Sequence, residues 1–439
     1  MARESLTESG ALVLSSSFQQ LLDRLLAIAW SRAHFANERF FSRGGPLSPE
    51  LVMALLLFMS GDAGRRGYAQ LLDEFWEQAG KAGIDLPVAE PVSAAAFCLA
   101  RKKLLPSLFD TMLRLAAEDF TSSHPQECRW RGRRVLAVDG MKCNLQRSEE
   151  LWTYFGMPEG AHAPQALVSM LFDVTAKLPI ALRVAPYASS ERHELLELHD
   201  HLQVGDVVVL DRGYPSFEVV DRLLEAGVDF VMRVPMRHTF EAIDAFRESG
   251  GQDYRVVLRP TRAATSQTPR ELRVVRVVRV DCGGKEPWII LTSLRRKDFS
   301  RSAIAQLYHM RWEVEEFFKL EKSDYFSLRQ LHGKSVLGVQ QEIRAQALFA
   351  ALARVMAAEA LLRHGVPFVE SSQKSAMLTL ASNLVALLLL DDADASAALL
   401  DAALRRAVRL RHRKRSGRSY PRRSFKPGPR WNARGRIGA

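Results

Sequence analysis

Only four cysteines occur in 439 residues, at Cys98, Cys128, Cys143 and Cys282. No two stand at metal-ligand spacing, which argues against a cysteine-built zinc site, and their scatter suits a reducing compartment rather than a disulfide framework. The start, Met-Ala-Arg-Glu-Ser, lacks an apolar segment behind a basic end, so no cleavable leader is expected. Long hydrophobic runs are missing too. Near the C-terminus the longest is Leu384–Leu390, far short of the ~20 residues that span a bilayer. A cytoplasmic chain without a membrane partner is the expectation.

Acids are absent from the end of the chain. From Arg405 onward there are 14 Lys and Arg and no Asp or Glu. Taking those 14 from the 61 bases leaves 47 against 50 acids, about −3, so the net charge of +11 belongs to the tail and not to the body. Such a tail gives affinity for polyanions without sequence preference, although an unrelated terminal extension would have the same composition. The 47% hydrophobic content excludes global disorder, and the length suits about three domains.

The chain divides by pattern. Residues 1–125 read as helices, with Ser48 before Pro49 as an N-cap and first helical position. They form a candidate DNA-end-binding module or a plain helical cap. Residues 126–234 alternate strand and helix, with strands over 135–138, 166–174, 180–184, 207–210 and 230–234. Residues 235–298 are rich in β-branched residues and read as an inserted β subdomain. Residues 299–335 carry a helix over 300–325, 336–410 are helical and a candidate oligomerisation region, and 411–439 form a disordered basic tail.

Two acids close apolar strands. Asp139 ends Val135-Leu-Ala-Val-Asp-Gly140, and Asp211 ends Val207-Val-Val-Leu-Asp-Arg-Gly-Tyr214. Carboxylates at the ends of buried strands lie where sheet-type active sites form. A third acid, Glu315, belongs to the pattern Tyr308-x2-Arg311-x3-Glu315-x6-Lys322. At roughly 100° per residue these four side chains fall within an arc of about 60° on one helix face. Three carboxylates suit Mg2+, or Mn2+ in its place, because hard cations take oxygen ligands. Paired ions of this kind serve phosphodiester chemistry.

With these residues the chain resembles the DDE transposases of bacterial insertion sequences, in the branch marked by a Tyr-Arg-Glu-Lys signature. Leu210-Asp-Arg-Gly-Tyr214, Tyr308-His-Met-Arg-Trp-Glu-Val-Glu-Glu-Phe-Phe318 and Pro91–Arg101 are similar to that branch over roughly residues 30 to 365. The resemblance implies an α/β ribonuclease H-like catalytic core with an inserted β subdomain between Asp211 and Glu315. It implies cut-and-paste transposition at terminal inverted repeats through a DNA hairpin, with Asp139, Asp211 and Glu315 as metal-binding catalytic acids. Tyr308, Arg311 and Lys322 are then phosphate contacts. Double-stranded DNA is the implied partner, a homodimer the implied assembly and the nucleoid the implied location.

Trp288 has two readings, a core tryptophan or a platform for a base extruded from the duplex. Arg273, Arg276 and Arg279 alternate so that Arg276 faces opposite to the other two, as a solvated edge or a DNA contact. The competing readings of the whole chain are a catalytically silent, domesticated DNA-binding protein and a general nuclease on the same fold.

Overall fold

A computed structural model describes residues 5–62, 66–236, 240–260, 272–281, 286–321 and 331–412. Five helices come first: α1 (Ser5–Ala29), α2 (Pro49–Ser60), α3 (Tyr68–Lys81), α4 (Ala94–Arg101) and α5 (Ser107–Ser123). The Ser48 hydroxyl accepts from the Leu51 amide at 3.2 Å, and Pro49 follows at the first helical position, as the sequence pattern anticipates.

The central segment contributes β1 (Val135–Asn144), α6 (Glu149–Phe155), β2 (Gln165–Asp173), β3 (Leu178–Pro186), α7 (Glu191–Leu196), β4 (Val207–Leu210), α8 (Phe217–Glu225) and β5 (Asp229–Arg233). After it come α9 (Glu241–Glu248), β6 (Asp253–Leu258), β7 (Arg273–Val280) and β8 (Trp288–Thr292). The chain then runs through α10 (Arg301–Met310), α11 (Trp312–Glu321), α12 (Val336–Arg363), α13 (Gln373–Leu389) and α14 (Ala393–Arg409).

Among the described residues the strands form one eight-stranded mixed sheet in the order β3-β2-β1-β4-β5-β8-β7-β6. β1, β4 and β5 are parallel, and β2 and β3 extend them antiparallel on one side. On the other side β8 pairs antiparallel with β5, so the segment expected as an inserted β subdomain continues the main sheet instead of closing a sheet of its own. β7 therefore has a strand on each side, and its arginines are not at a solvated edge. Arg276 is buried and bonded to Asp253, while Arg273 pairs with Asp221 and Arg279 donates to the carbonyl of Gly251.

The central strands are apolar on both faces and so are covered on both. Val135, Ala137, Val207, Val209, Val231 and Ile290 face one core, shared with α12 and the N-terminal helices. Leu136, Val138, Val208, Leu210, Phe230 and Met232 face the other, under α7, α8 and α9. α12 is long and apolar enough to cross a membrane by length and composition, but 94% of its apolar window is buried inside the protein, where it packs against α2, α5 and α13. The helix itself falls in the region expected to be helical; no long apolar run marks it because Gln346, Arg354 and Glu359 interrupt its apolar sequence.

One expected helix is divided. The turn at Arg311 separates α10 from α11: the Arg311 amide bonds to Tyr308 O at 3.2 Å and the Val314 amide to Arg311 O at 3.3 Å. These i→i−3 bonds tighten the chain there with no proline or glycine involved. The single straight face expected from Tyr308 to Lys322 is thus interrupted at its second member. Lys322 lies outside the described residues, as do Cys282 and residues 413–439 of the expected basic tail.

Candidate active site

Side chains alternate along strands, so the faces of the acids follow from the cores beneath them. Asp139 continues the face of Val135 and Ala137, and Asp211 that of Val207 and Val209. Ala137 pairs with Val209 in the parallel register of β1 and β4, so two residues further the two acids stand side by side: Asp211 is one residue past the end of β4, whereas Asp139 does not end its strand as its apolar run suggests, because β1 continues to Asn144 through its pairing with β2. Val209 pairs with Val231 in turn, which brings Arg233 into the same row.

Backbone amides orient both carboxylates. Asp139 Oδ1 accepts from the Gly140 amide at 3.1 Å, and Asp211 Oδ1 from the Gly213 amide at 2.7 Å. Burial pushes the Asp139 carboxyl up to about 7; the nearby Arg311 guanidinium opposes this, and the Asp211 and Glu191 carboxylates add to it. Asp139 therefore carries a proton far more readily than a free aspartate, chiefly because burial disfavours its charged form.

Arg311 and Glu315 come in from α10 and α11. Ser300 caps α10 by accepting from the Ala303 amide at 3.2 Å. Arg311 is buried and donates through Nη2 to Glu315, four residues on. Desolvation acts to lower the Arg311 pKa, but Tyr308, Glu315 and Asp139 together raise it, so the guanidinium holds its charge between the signature acid and the first strand-end acid. Its Nε is enclosed and without a hydrogen-bond partner.

Tyr308 is buried, and its hydroxyl is raised by desolvation against the influence of Arg311 and Arg233. Its ring meets Trp288 edge-on with centroids 5.4 Å apart. Trp288 is partly buried, with Trp312 at 6.4 Å and the Arg233 guanidinium 4.6 Å from its ring centre. It is thus neither a deep core residue nor a bare platform. It belongs to an aromatic and cationic cluster continuous with the acids through Tyr308 and Arg311.

The structure brings Asp139, Asp211, Arg311 and Tyr308 into one neighbourhood and joins Glu315 to it through Arg311. Three neighbours escaped sequence reasoning. Arg233 was legible as the end of a strand in register with Asp211, and Tyr214 as the close of the turn after Asp211, whereas Glu191 comes close only through the packing of α7 and had no local signal. Among the described residues, no three His, Cys, Asp or Glu side chains are gathered closely enough to hold a metal ion. The donor chemistry at Asp139 and Asp211 nevertheless fits a hard divalent cation, with adjacent carboxylates and oxygen ligands only. Glu315 would join them by exchanging Arg311 for the ion.

Residues 130–352 match the family profile described as Transposase DDE domain. That span contains Asp139, Asp211 and the whole signature. No curated protein matches the chain in sequence. Among solved structures, the piggyBac transposase synaptic complex with hairpin DNA is similar with a TM-score of 0.44 and 13% identity, covering 90% of this chain and 84% of that one.

Proposed function

Because the chain belongs to the Transposase DDE domain family, in which DNA transposition is the shared activity, we propose that it excises and joins an insertion sequence by cut-and-paste. In this reading it acts at terminal inverted repeats and belongs to the bacterial branch with the Tyr-Arg-Glu-Lys signature. The observation that carries it is the register of β1 and β4, which aligns Asp139 with Asp211 beside the Arg311–Glu315 pair. The sheet supports a ribonuclease H-like reading of the core, with parallel β1, β4 and β5 and antiparallel β2 and β3 beyond them.

Asp139, Asp211 and Glu315 would hold Mg2+, with Mn2+ as a substitute. Such ions supply positive charge where negative charge builds up on a phosphate during in-line transfer. The chain's own groups do the rest. Arg311 carries a buried, fixed guanidinium suited to a phosphate oxygen, and Lys322 is a further phosphate contact by its place in the signature. Tyr308 backs the Trp288 ring, and Trp288 stacks on a base turned out of the duplex as the transposon end closes into a hairpin. Double-stranded DNA is the partner, bound at both ends by a homodimer associated with the nucleoid in the cytoplasm.

Purified protein with Mg2+ and a duplex carrying the flanking inverted repeat tests this directly. Cleavage at the repeat boundary, abolished by Glu315→Ala, is the expected result, and Trp288→Ala should reduce hairpin product more than first-strand nicking. DNA binding without any cut in Mg2+ or Mn2+ would refute the proposal and leave a DNA-binding protein without transposase chemistry.

A further inference from the structure

β1 carries the chain past the acids to a second feature. From Asp139 it continues to Asn144, about 17 Å at the rise of a strand. The segment after it enters a cleft of about 620 Å3 between the N-terminal helices and the start of α12. Tyr68 and Lys102 line this cleft from the N-terminal helices, Gln146 and Glu150 from the segment after β1, and Lys334 and Ser335 from the approach to α12. The three segments are fastened to one another. Gln146 Nε2 donates to Leu331 O at 2.7 Å and the Ser148 hydroxyl to Lys334 O at 2.8 Å. The Val336 amide donates to Glu150 Oε1 at 2.8 Å, and Arg101 Nη2 to Gly338 O at 2.9 Å. The cleft therefore holds a fixed position relative to Asp139.

Its charge is unbalanced. Lys102 and Lys334 are exposed, and among the described residues neither meets a carboxylate. Lys81, Lys177 and Lys319, by contrast, are each held by a glutamate. Arg101 also lines the cleft, but Glu342 meets its charge. Glu150, the acid in the lining, already accepts from the Val336 amide. Arg147, exposed between Gln146 and Ser148, again meets no carboxylate among the described residues. Like charges that share one opening repel each other, and their combined field favours an extended anion that reaches both.

We propose that this cleft holds the sugar–phosphate backbone of the transposon end about six nucleotides from the bond being cut, with Lys102 and Lys334 on its phosphates and Arg147 beside them. The inference rests on the transposase reading of Asp139 and Asp211. The length of β1 beyond Asp139, with the two further residues to Gln146, gives a separation of about 20 Å. Phosphates follow one another at about 3.4 Å along a duplex, which gives the spacing of about six. The N-terminal helices form the far side of the cleft, so the bound backbone lies on the element's side of the cut. A backbone contact reads no bases but fixes register. Held here, the duplex presents its boundary phosphate to the acids.

The test uses the full chain and a duplex carrying the flanking inverted repeat. Lys102→Gln combined with Lys334→Gln should reduce the slope of log affinity against log salt by about two, with a parent-like unfolding midpoint. Arg222→Gln, on α8 over the other face of the sheet and paired with Glu225, should leave the slope unchanged. One uncharged methylphosphonate, moved along the strand inside the boundary, should weaken parent binding most at about five to seven nucleotides. The double variant should be indifferent to it there. A parent-like slope in the double variant would overturn the cleft, while parent cleavage that Glu315→Ala abolishes would leave the transposase reading standing. A reduced slope without any positional effect of the methylphosphonate would overturn the register and make the cleft a non-specific polyanion site. A parent without affinity for the duplex would overturn the cleft and the transposase reading together.

Discussion

Arg101 Nη1 lies 2.8 Å from Glu342 Oε1, joining two buried side chains 241 residues apart. Arg101 also donates to Gln341 Oε1 at 2.9 Å, Tyr68 OH at 2.6 Å and Gly338 O at 2.9 Å. Glu342 accepts in addition from the amides of His332 and Gly333 at 2.8 and 3.1 Å. Arg101 thus locks the N-terminal helices onto α12.

Removing one member of this pair strands the other. Burial alone would push the Glu342 carboxyl up, but Arg101, Tyr68 and the two amides outweigh it and hold the pKa below the usual value. Its stabilising contribution is therefore present above the unfolded pKa of about 4.5 and is lost as pH falls through the lower folded value. Arg101→Ala should cost ~3–5 kcal/mol in urea unfolding at pH 7. A loss below about 1 kcal/mol would mean the network is not formed in solution.

Asp139 has the opposite sign. Its folded pKa of about 7 lies above the unfolded 3.8, because burial and then Asp211 and Glu191 outweigh Arg311. Between these values the native state holds more protons than the unfolded one, so stability declines as pH rises from about 4 through 7. Asp139→Asn removes that decline. In EDTA the variant should be more stable than the parent by about 1–2 kcal/mol at pH 8, after allowing for solvent screening, and equal to it near pH 4. Parallel unfolding curves at both pH values would show that Asp139 titrates normally.

Much of this site was readable in one dimension. Four apolar residues before Asp139 and four before Asp211 mark buried strands; Asp211 stands where β4 stops, but β1 runs past Asp139 to Asn144 because β2 pairs with its second half, which the polar residues there did not signal. Local chemistry likewise gave the Ser48 cap and the Tyr308–Glu315 spacing. What escaped depends on contacts between distant segments. The junction with β5 that makes 235–298 part of one sheet is set by pairing of Arg233 with Ile290, which no periodicity encodes. The turn at Arg311 contains neither glycine nor proline. Glu191 reads as an ordinary acid in the first turn of a helix, and only the packing of α7 beneath Gly140 gives it a place beside Asp139.

Arg276 separates a structural cation from a DNA-binding one. Its Nε and Nη2 donate to the two Asp253 oxygens at 2.8 and 2.9 Å, and Nη1 to the carbonyls of Leu294 and Phe299 at 3.1 and 2.8 Å. With 4% exposure it has no surface left for a phosphate. Arg276→Ala should lose ~3–5 kcal/mol of stability. At a temperature where it remains folded, the slope of log DNA affinity against log salt should equal the parent's, because no phosphate contact is removed. A slope reduced by about one would assign Arg276 to the DNA surface instead.

On the metal-binding reading proposed above, Arg311 is a competitor of the cation for the acids. It is the largest influence opposing the effect of burial on Asp139, and its Nη2 engages Glu315. Arg311→Gln removes one positive charge from a half-buried group of carboxylates, so each acid gains affinity for another cation. Mn2+ should bind the variant more tightly, by about three- to tenfold for an effect of roughly 1 kcal/mol at intermediate dielectric. DNA cleavage should fall, since the guanidinium proposed as a phosphate contact is gone. The two changes run in opposite directions, and this separates the role from general damage to the fold, which would weaken both. Mn2+ affinity lowered together with cleavage would show that Arg311 holds the acids in place and does not compete with the ion.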